Sequence, residues 1–410
     1  MSQLRVGVKY CGHCNPTVEG PQVIDQIRTL DPEVRFVAWD DISKDILLIF
    51  SGCATDCVNK PEFSGPVVHV AGYSLVHKRV LPEEFPASIL NAIREKEEKM
   101  VDVAINYKKK ADKRMTLYDA IKTFVGDGCS IAFSGMGGAQ CVAQTYEVIR
   151  QGGKNLTLIG DSPCESGDML IGAGTVKKAE LAWCSYAVAG LGYNFRRAIE
   201  NKIPQAIELE EYSNYTIGLR YLAGAINVPY IPTKSLLGSD LPKYNTKIRI
   251  AQDPYTGEAV ALVPAVHPDV AIVHVSRADK RGNAQMFGFT SNAENLARAA
   301  QHTIITCEEL VSTEEIQRYP NLTVVPEYAV DAVVEVPYAA HPWNMPYAYV
   351  YDMPFHTVQL EAFKTRDGFE RWLEEYCFEP GSWEGYLRKV GYERLDTLRQ
   401  LERRFTKLNY

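Results

Sequence analysis

The sequence predicts an α/β protein: an open, mainly parallel sheet covered by helices on both faces, preceded by a small separate α/β domain. Three observations predict it. Short apolar runs alternate with helix-period segments along the chain. Glycines punctuate the joints between them, as at Gly126, Gly128, Gly152 and Gly153. A length of 410 residues exceeds one ordinary hydrophobic core, so two domains are expected.

The first domain is read over residues 1–105. Apolar runs at Leu4–Tyr10, Val34–Trp39, Ile46–Phe50 and Val67–Ala71 read as strands, and Pro21–Leu30 and Glu83–Lys99 carry helical spacing. Residues 106–115, "NYKKKADKRM", hold five basic residues and no apolar period, and are read as a linker. The main domain, 116–365, opens with Thr116 as N-cap of "LYDAIKTFV", followed by the strand "CSIAF". The loop "SGMGG" leads into the helix "AQCVAQTYEVIRQ" and the buried strand "NLTLIGD". "AELAWCSYA" then precedes the helix "YNFRRAIEN", and "AIELEEY" precedes "YTIGLRYLAGAI". The turn Asp253–Gly257 separates two strand-like runs and predicts a hairpin edge. "VAIVHVSRAD", "NAENLARAAQ" and "TIITCEEL" follow as strand, helix and strand. Residues 337–355 are rich in Pro and aromatics without a period, so they are expected to be extended and packed; 366–410 reads as a helical extension.

Composition narrows the function classes. A net charge of -7 argues against a general nucleic-acid or membrane-surface binder. The N-terminus lacks a signal-peptide pattern, and no run reaches the roughly 18 apolar residues of a membrane span. A cytoplasmic protein is expected. Ten cysteines in this length are too sparse for a disulfide scaffold.

Cys11 and Cys14 follow the first strand as "CGHC", and Cys53 and Cys57 follow another as "CATDC". In a parallel sheet both loops leave one edge, where four thiolates suit zinc or an iron–sulfur cluster. Redox thiols and ordinary buried thiols are the competing readings. The metal centre is taken forward, with His13 beside it. "FSGMGGAQ" places Gly135, Gly137 and Gly138 between a strand and a helix start, where free backbone N–H groups hold phosphate, an oxyanion or an acyl carbonyl. A dinucleotide reading, with Asp161 on the ribose, is weakened by Gln140 at the third glycine position. In "IELEEYSN", Glu210 and Glu211 end a strand as a base would, while Ser213 or Asn214 caps the next helix. Arg277, Lys280 and Arg281 add positive charge at a turn. "SPCESGD" (162–168) reads as a surface loop, and His267, His274, His341 and His356 as packing or hydrogen-bonding residues.

Taken in order from Thr116 to Trp343, the segments "TLYDAIKTFVGDGCSIAFSGMGG", "LIGAGTVKKAE", "EEYSNYTIGLRYLAGA", "PYIPTKSLLGSD", "VHPDVAIVHVSRADKRGNAQMFG" and "VVEVPYAAHPW" resemble class I CoA-transferases. They are most similar to the α subunit of glutaconate CoA-transferase and to ring-opening acyl-CoA hydrolases. The resemblance implies an open sheet of the CoA-transferase type, an α/β hetero-oligomer with a β subunit as partner, and a coenzyme A thioester with a carboxylic acid as ligands. It further implies that the thioester is attacked by a glutamate of that partner. On this chain it places Gly135, Gly137 and Gly138 at the acyl site, Glu211 with Ser213 and Asn214 facing it from the neighbouring strand edge, and Arg277, Lys280 and Arg281 near the CoA phosphates. Glu165 follows a strand too late for the nucleophile's position. The expected function is the α subunit of a CoA-transferase or acyl-CoA hydrolase; an acyl-CoA-binding redox or metal sensor is the alternative.

Overall fold

The computed structural model describes residues 4–12, 17–56, 58, 61, 63, 65–75, 78–98, 112–136, 138–186 and 189–408. The chain divides into two compact units, residues 1–111 and 112–410. The linker expected at 106–115 lies, up to residue 111, outside the described residues.

In the first unit β1 (Leu4–Tyr10), β2 (Val34–Ala38), β3 (Ile46–Ser51), β4 (Val67–Ala71), β5 (Ser74–Leu75) and β6 (Lys78–Arg79) form one sheet in the order β2-β1-β3-β4-β5-β6. The first four are parallel, and the last two, too short to show a period in sequence, pair antiparallel. The helices Gly20–Leu30 and Phe85–Glu98 set Ile24, Ile27, Phe85, Ile89 and Ile93 against Val6, Leu48, Phe50 and Val68. Val58 covers Leu47 and Ile49 on the opposite face. Burial on both faces explains why β3 reads as an unbroken apolar run.

The second unit is built on a parallel sheet. β7 (Ser130–Phe133), β8 (Leu156–Gly160), β9 (Val176–Leu181), β10 (Glu208–Glu211), β14 (Val270–Asp279), β16 (His302–Val311) and β18 (Ala332–Glu335) pair in the order β10-β9-β8-β7-β14-β16-β18. The far half of β14 pairs antiparallel with β15 (Ala284–Gln285), which pairs with β17 (Thr323–Val325). The expected hairpin forms between β12 (Arg249–Gln252) and β13 (Ala259–Pro264), with Gly257 at φ +73°, where a side chain would be strained. It joins β11 (Tyr230–Thr233) in a separate three-stranded sheet. Thr116 caps the helix Leu117–Phe124 as expected, its hydroxyl accepting the Asp119 N–H at 3.0 Å.

Two expectations need correction. The strand read at "AELAWCSYA" is Val176–Leu181, starting earlier because Val176 already pairs with Leu156, while Trp183 and Cys184 leave the sheet. "SPCESGD" is not a surface loop: Cys164–Gly172 is a fully buried helix, its acidic side chains satisfied by internal partners. The segment 337–355 is packed as expected, but it runs through turns rather than extended, and its last three residues open the helix Met353–Phe363. Ala139 N–H donates to Asn344 O and Ala143 N–H to Ala339 O, so this segment crosses the glycine loop. The helices from Arg366 onward share the same core through Phe369, Trp372, Tyr386 and Leu395.

Candidate active site at the carboxyl edge

Parallel strands bring the loops after β7, β8 and β10 to one edge of the sheet, the usual ligand side of an open α/β fold. Gly135 there has φ +101°, and a Cβ on it would lie 2.5 Å from Ala139 O. A Cβ on Gly138 would lie 3.1 Å from the Asn344 side chain. Gln140 donates to Gly135 O at 2.8 Å and closes the loop on itself. Gly137 lies outside the described residues. The dinucleotide reading has no free acid: Asp161 is buried, and accepts the Ser162 N–H at 2.8 Å and the Asn292 amide at 3.0 Å. Burial raises its pKa against those donors.

Glu211 is not on the strand neighbouring the glycine loop, as expected from sequence. β8 and β9 lie between, so β10 and β7 are about 14 Å apart at the usual strand spacing. The gap is bridged at the loop level, where Ser162 Oγ, after β8, meets Asn214 Oδ1 at 3.4 Å. The edge therefore presents a strip running from the glycine loop through Ser162 and Asn214 to Glu211. Ser213 is the N-cap of Asn214–Ala225, in a reciprocal capping box with Thr216, which accounts for its hydroxyl.

The two glutamates separate clearly. Glu210 Oε2 receives Lys178 and Lys247, each at 2.9 Å, and Oε1 receives the Tyr212 hydroxyl. Burial opposes its ionisation, but Tyr212, Lys247 and Lys178 outweigh it and hold the carboxyl below its usual range. Glu180, on β9, joins the cluster with Lys178 at 2.9 Å, Lys247 at 3.2 Å and Arg220 at 2.8 Å. Burial there is likewise overcome, chiefly by Arg220, and the pKa falls to about 2. Glu211 is exposed, and its carboxylate has no ion pair or hydrogen bond among the described residues. Sequence reasoning missed this cluster. Lys178/Glu180 and Glu208/Glu210 alternate on adjacent strands and signal a shared face, but Lys247 and Arg220 carry no such signal.

The cationic turn is not part of the strip. From Ile272, level with the glycine loop, β14 runs seven residues to Asp279, about 23 Å. Arg277 is tied to Gln285 at 2.8 Å and Glu315 at 3.4 Å, and Arg281 to Glu327 at 2.8 Å. Lys280 is exposed. Two of the three charges are thus neutralised within the chain.

In the first unit the loops after β1 and β3 do meet. Cys11 Sγ accepts the Gly52 N–H at 3.2 Å, one residue before the buried Cys53. Cys14, Cys57 and His13 lie outside the described residues, and among the described residues no three His, Cys, Asp or Glu side chains are grouped to hold a metal.

An open parallel sheet with a glycine loop and an unpaired glutamate on its carboxyl edge defines an open α/β protein, the class whose ligands sit at the strand ends. The chain belongs to the coenzyme A transferase family, whose model matches residues 114–336. Residues 5–84 match a separate uncharacterised family. An uncharacterised protein of Archaeoglobus fulgidus is 40% identical over 295 residues, covering 71% of this chain and 65% of that protein. The α-type chain of glutaconate CoA-transferase from Acidaminococcus fermentans is 33% identical over 305 residues, 70% of this chain and 94% of that one. Its crystal structure covers 70% of this chain at a TM-score of 0.66. A cholesterol ring-cleaving hydrolase subunit of Rhodococcus jostii is 28% identical over 293 residues, 68% of this chain and 96% of that one. Among the described residues no helix is long and apolar enough to cross a membrane. Nothing in these likenesses supports the sensor alternative.

Proposed function

We propose that this chain is the α-type subunit of a hetero-oligomeric, cytoplasmic enzyme acting on acyl-CoA, moving CoA to a carboxylic acid or, as the second reading, hydrolysing the acyl substrate. The observation that carries it is the likeness to almost the whole length of an α-type CoA-transferase chain, with Glu211 unpaired at the strand edge. The thioester end of the substrate lies at the Gly135–Gly138 loop, whose N–H groups receive a carbonyl oxygen. The acyl end extends past Ser162 and Asn214 to Glu211, which in the hydrolytic reading removes a proton from substrate or from water. In transfer, a carboxylate of a β-type partner attacks the thioester carbonyl and expels CoA thiolate, giving an acyl anhydride. The thiolate then attacks the enzyme's carbonyl, releases the first acid and leaves an enzyme–CoA thioester for the second. Lys280 is left as the cation for a CoA phosphate.

The test is to purify the chain with its partner and follow glutaryl-, glutaconyl- and acetyl-CoA, each with and without free carboxylic acids. CoA exchange that needs the acid supports transfer; free CoA without it supports hydrolysis. Glu211→Gln lowers turnover by about 100-fold or more if it is the general base. Turnover of none of these thioesters by the complex, or full activity from the lone chain, overturns the proposal.

A thiolate metal centre in the first unit, zinc or iron–sulfur, ligated by Cys11, Cys14, Cys53 and Cys57, is the second part. The sheet order supports it: the chain crosses from one side of β1 to the other before β3, and α/β sheets take ligands at such a switch point. Anaerobically purified protein then contains zinc, or iron with sulfide, and loses it on Cys53→Ala. Metal-free protein whose thiols all alkylate without unfolding rejects the site.

A further inference from the structure

β10 is the outermost strand of its sheet, so among the described residues the backbone groups on its free side have no strand partner. Its end carries Glu211, and one loop closes over it. Asn245 is buried, and its amide donates to Glu211 O at 2.9 Å. The same side chain accepts the Lys247 N–H at 3.1 Å, and Ile248, buried beside it, donates its N–H to Asn245 O. Lys247 then reaches back over the strand to Glu210 and Glu180. Tyr212 is held from both sides, its hydroxyl on Glu210 and its ring 4.1 Å from the Arg220 guanidinium. The residues before and after Glu211 are therefore both immobilised, and its own carbonyl is tied, while its carboxylate is left unpaired.

We infer that the Asn245–Ile248 loop is the positioning element of the reaction, with Asn245 and Lys247 as positioning residues that set Glu211 against the substrate and keep Glu210 out of it. The inference rests on Glu211 being the base. Asn245 fixes the peptide that carries Glu211. Lys247 holds Glu210 as an ionised partner on the opposite side of the strand, so that only one of two adjacent carboxylates faces the edge. A merely structural loop would stabilise the fold without touching the chemical step.

The test uses the chain in its complex, assayed with glutaryl-CoA, comparing Asn245→Ala, Lys247→Met, Lys247→Arg and Glu211→Gln. Misplacing a reacting group by about 1 Å costs up to about 100-fold, so Asn245→Ala and Lys247→Met are expected to lose about 10- to 100-fold in kcat with KM within about twofold. Lys247→Arg, which keeps the charge, restores kcat to within about threefold of wild type. Lys247→Met also shifts the acidic limb of the pH–rate profile, because Glu210 loses one of its two cations. Folded Asn245→Ala and Lys247→Met proteins with wild-type kcat, alongside an impaired Glu211→Gln, overturn the positioning role. Wild-type kcat in Glu211→Gln instead removes the base reading and the inference with it. Should Asn245→Ala not fold, the half-exposed Lys247 decides alone.

Discussion

Glu165 offers the sharpest test of the interior of the second unit. Its carboxyl is fully buried; Trp343 donates to it at 3.0 Å, the Gln359 amide donates to the other oxygen, and His356 Nε2 lies 3.4 Å away. Burial dominates and raises its pKa from 4.5 to about 8, while burial lowers His356 to about 3 and leaves that ring neutral. Among the described residues no cation therefore compensates a Glu165 carboxylate. The folded state holds this proton more tightly than the unfolded chain, so the stabilisation is complete below pH 4.5 and is lost as pH rises through about 8. At about 1.4 kcal/mol for each tenfold difference in proton affinity, the loss reaches about 5 kcal/mol. Glu165→Gln removes the proton from the balance, and Gln359 Oε1, which has no hydrogen-bond partner among the described residues, is available to the new amide. Urea unfolding of both proteins, followed by tryptophan fluorescence at about pH 5, 7 and 9, should show the variant gaining on wild type by about 4 kcal/mol across the range, since about 1 kcal/mol of the loss falls below pH 5. Parallel stability curves, or a wild type that gains on the variant as pH rises, would refute the assignment of a neutral, buried acid.

Other expected outcomes follow from single contacts. Arg394 pairs with the nearly inaccessible Asp352 at 2.5 and 2.6 Å, and His341 approaches the same carboxylate at 3.1 Å. Arg394→Met should destabilise the second unit by about 3 kcal/mol by stranding that charge, and Asp352→Asn in the same protein should recover part of it, both read by urea unfolding. Gly135→Ala should abolish turnover in a folded protein, since the new Cβ meets Ala139 O at 2.5 Å and φ is +101°; a circular dichroism spectrum and a CoA thioester assay check it together. Thr116→Ala should cost about 1 kcal/mol by removing the cap on the Asp119 N–H, measured as a shift in the denaturation midpoint.

By itself the sequence determined most of the longer elements and their order, because periodicity, caps and glycine joints act within a window of a few residues; the buried helix Cys164–Gly172 and the two-residue strands escaped it. β1, β4 and β14 coincide with runs read from the sequence, Ser213 was among the two residues read as the cap, and the Thr116 cap was read correctly. The segments running from Thr116 to Trp343 likewise pointed to the family that the match over residues 114–336 shows. The chemistry of the edge was decided only in three dimensions. Glu210 and Glu211 are indistinguishable as neighbours, and Lys247, Lys178 and Tyr212 separate them by binding one. Arg277 and Arg281 read as free cations until β14 carries them away from the glycine loop and Glu315 and Glu327 neutralise them. Glu165 sits in a polar stretch that looks exposed, yet Trp343 and Gln359, each well over a hundred positions away, enclose it. Ion pairing and burial depend on partners remote in sequence, so no local pattern records them; only the packed chain sets which carboxylate is paired, which is buried neutral and which is left unpaired.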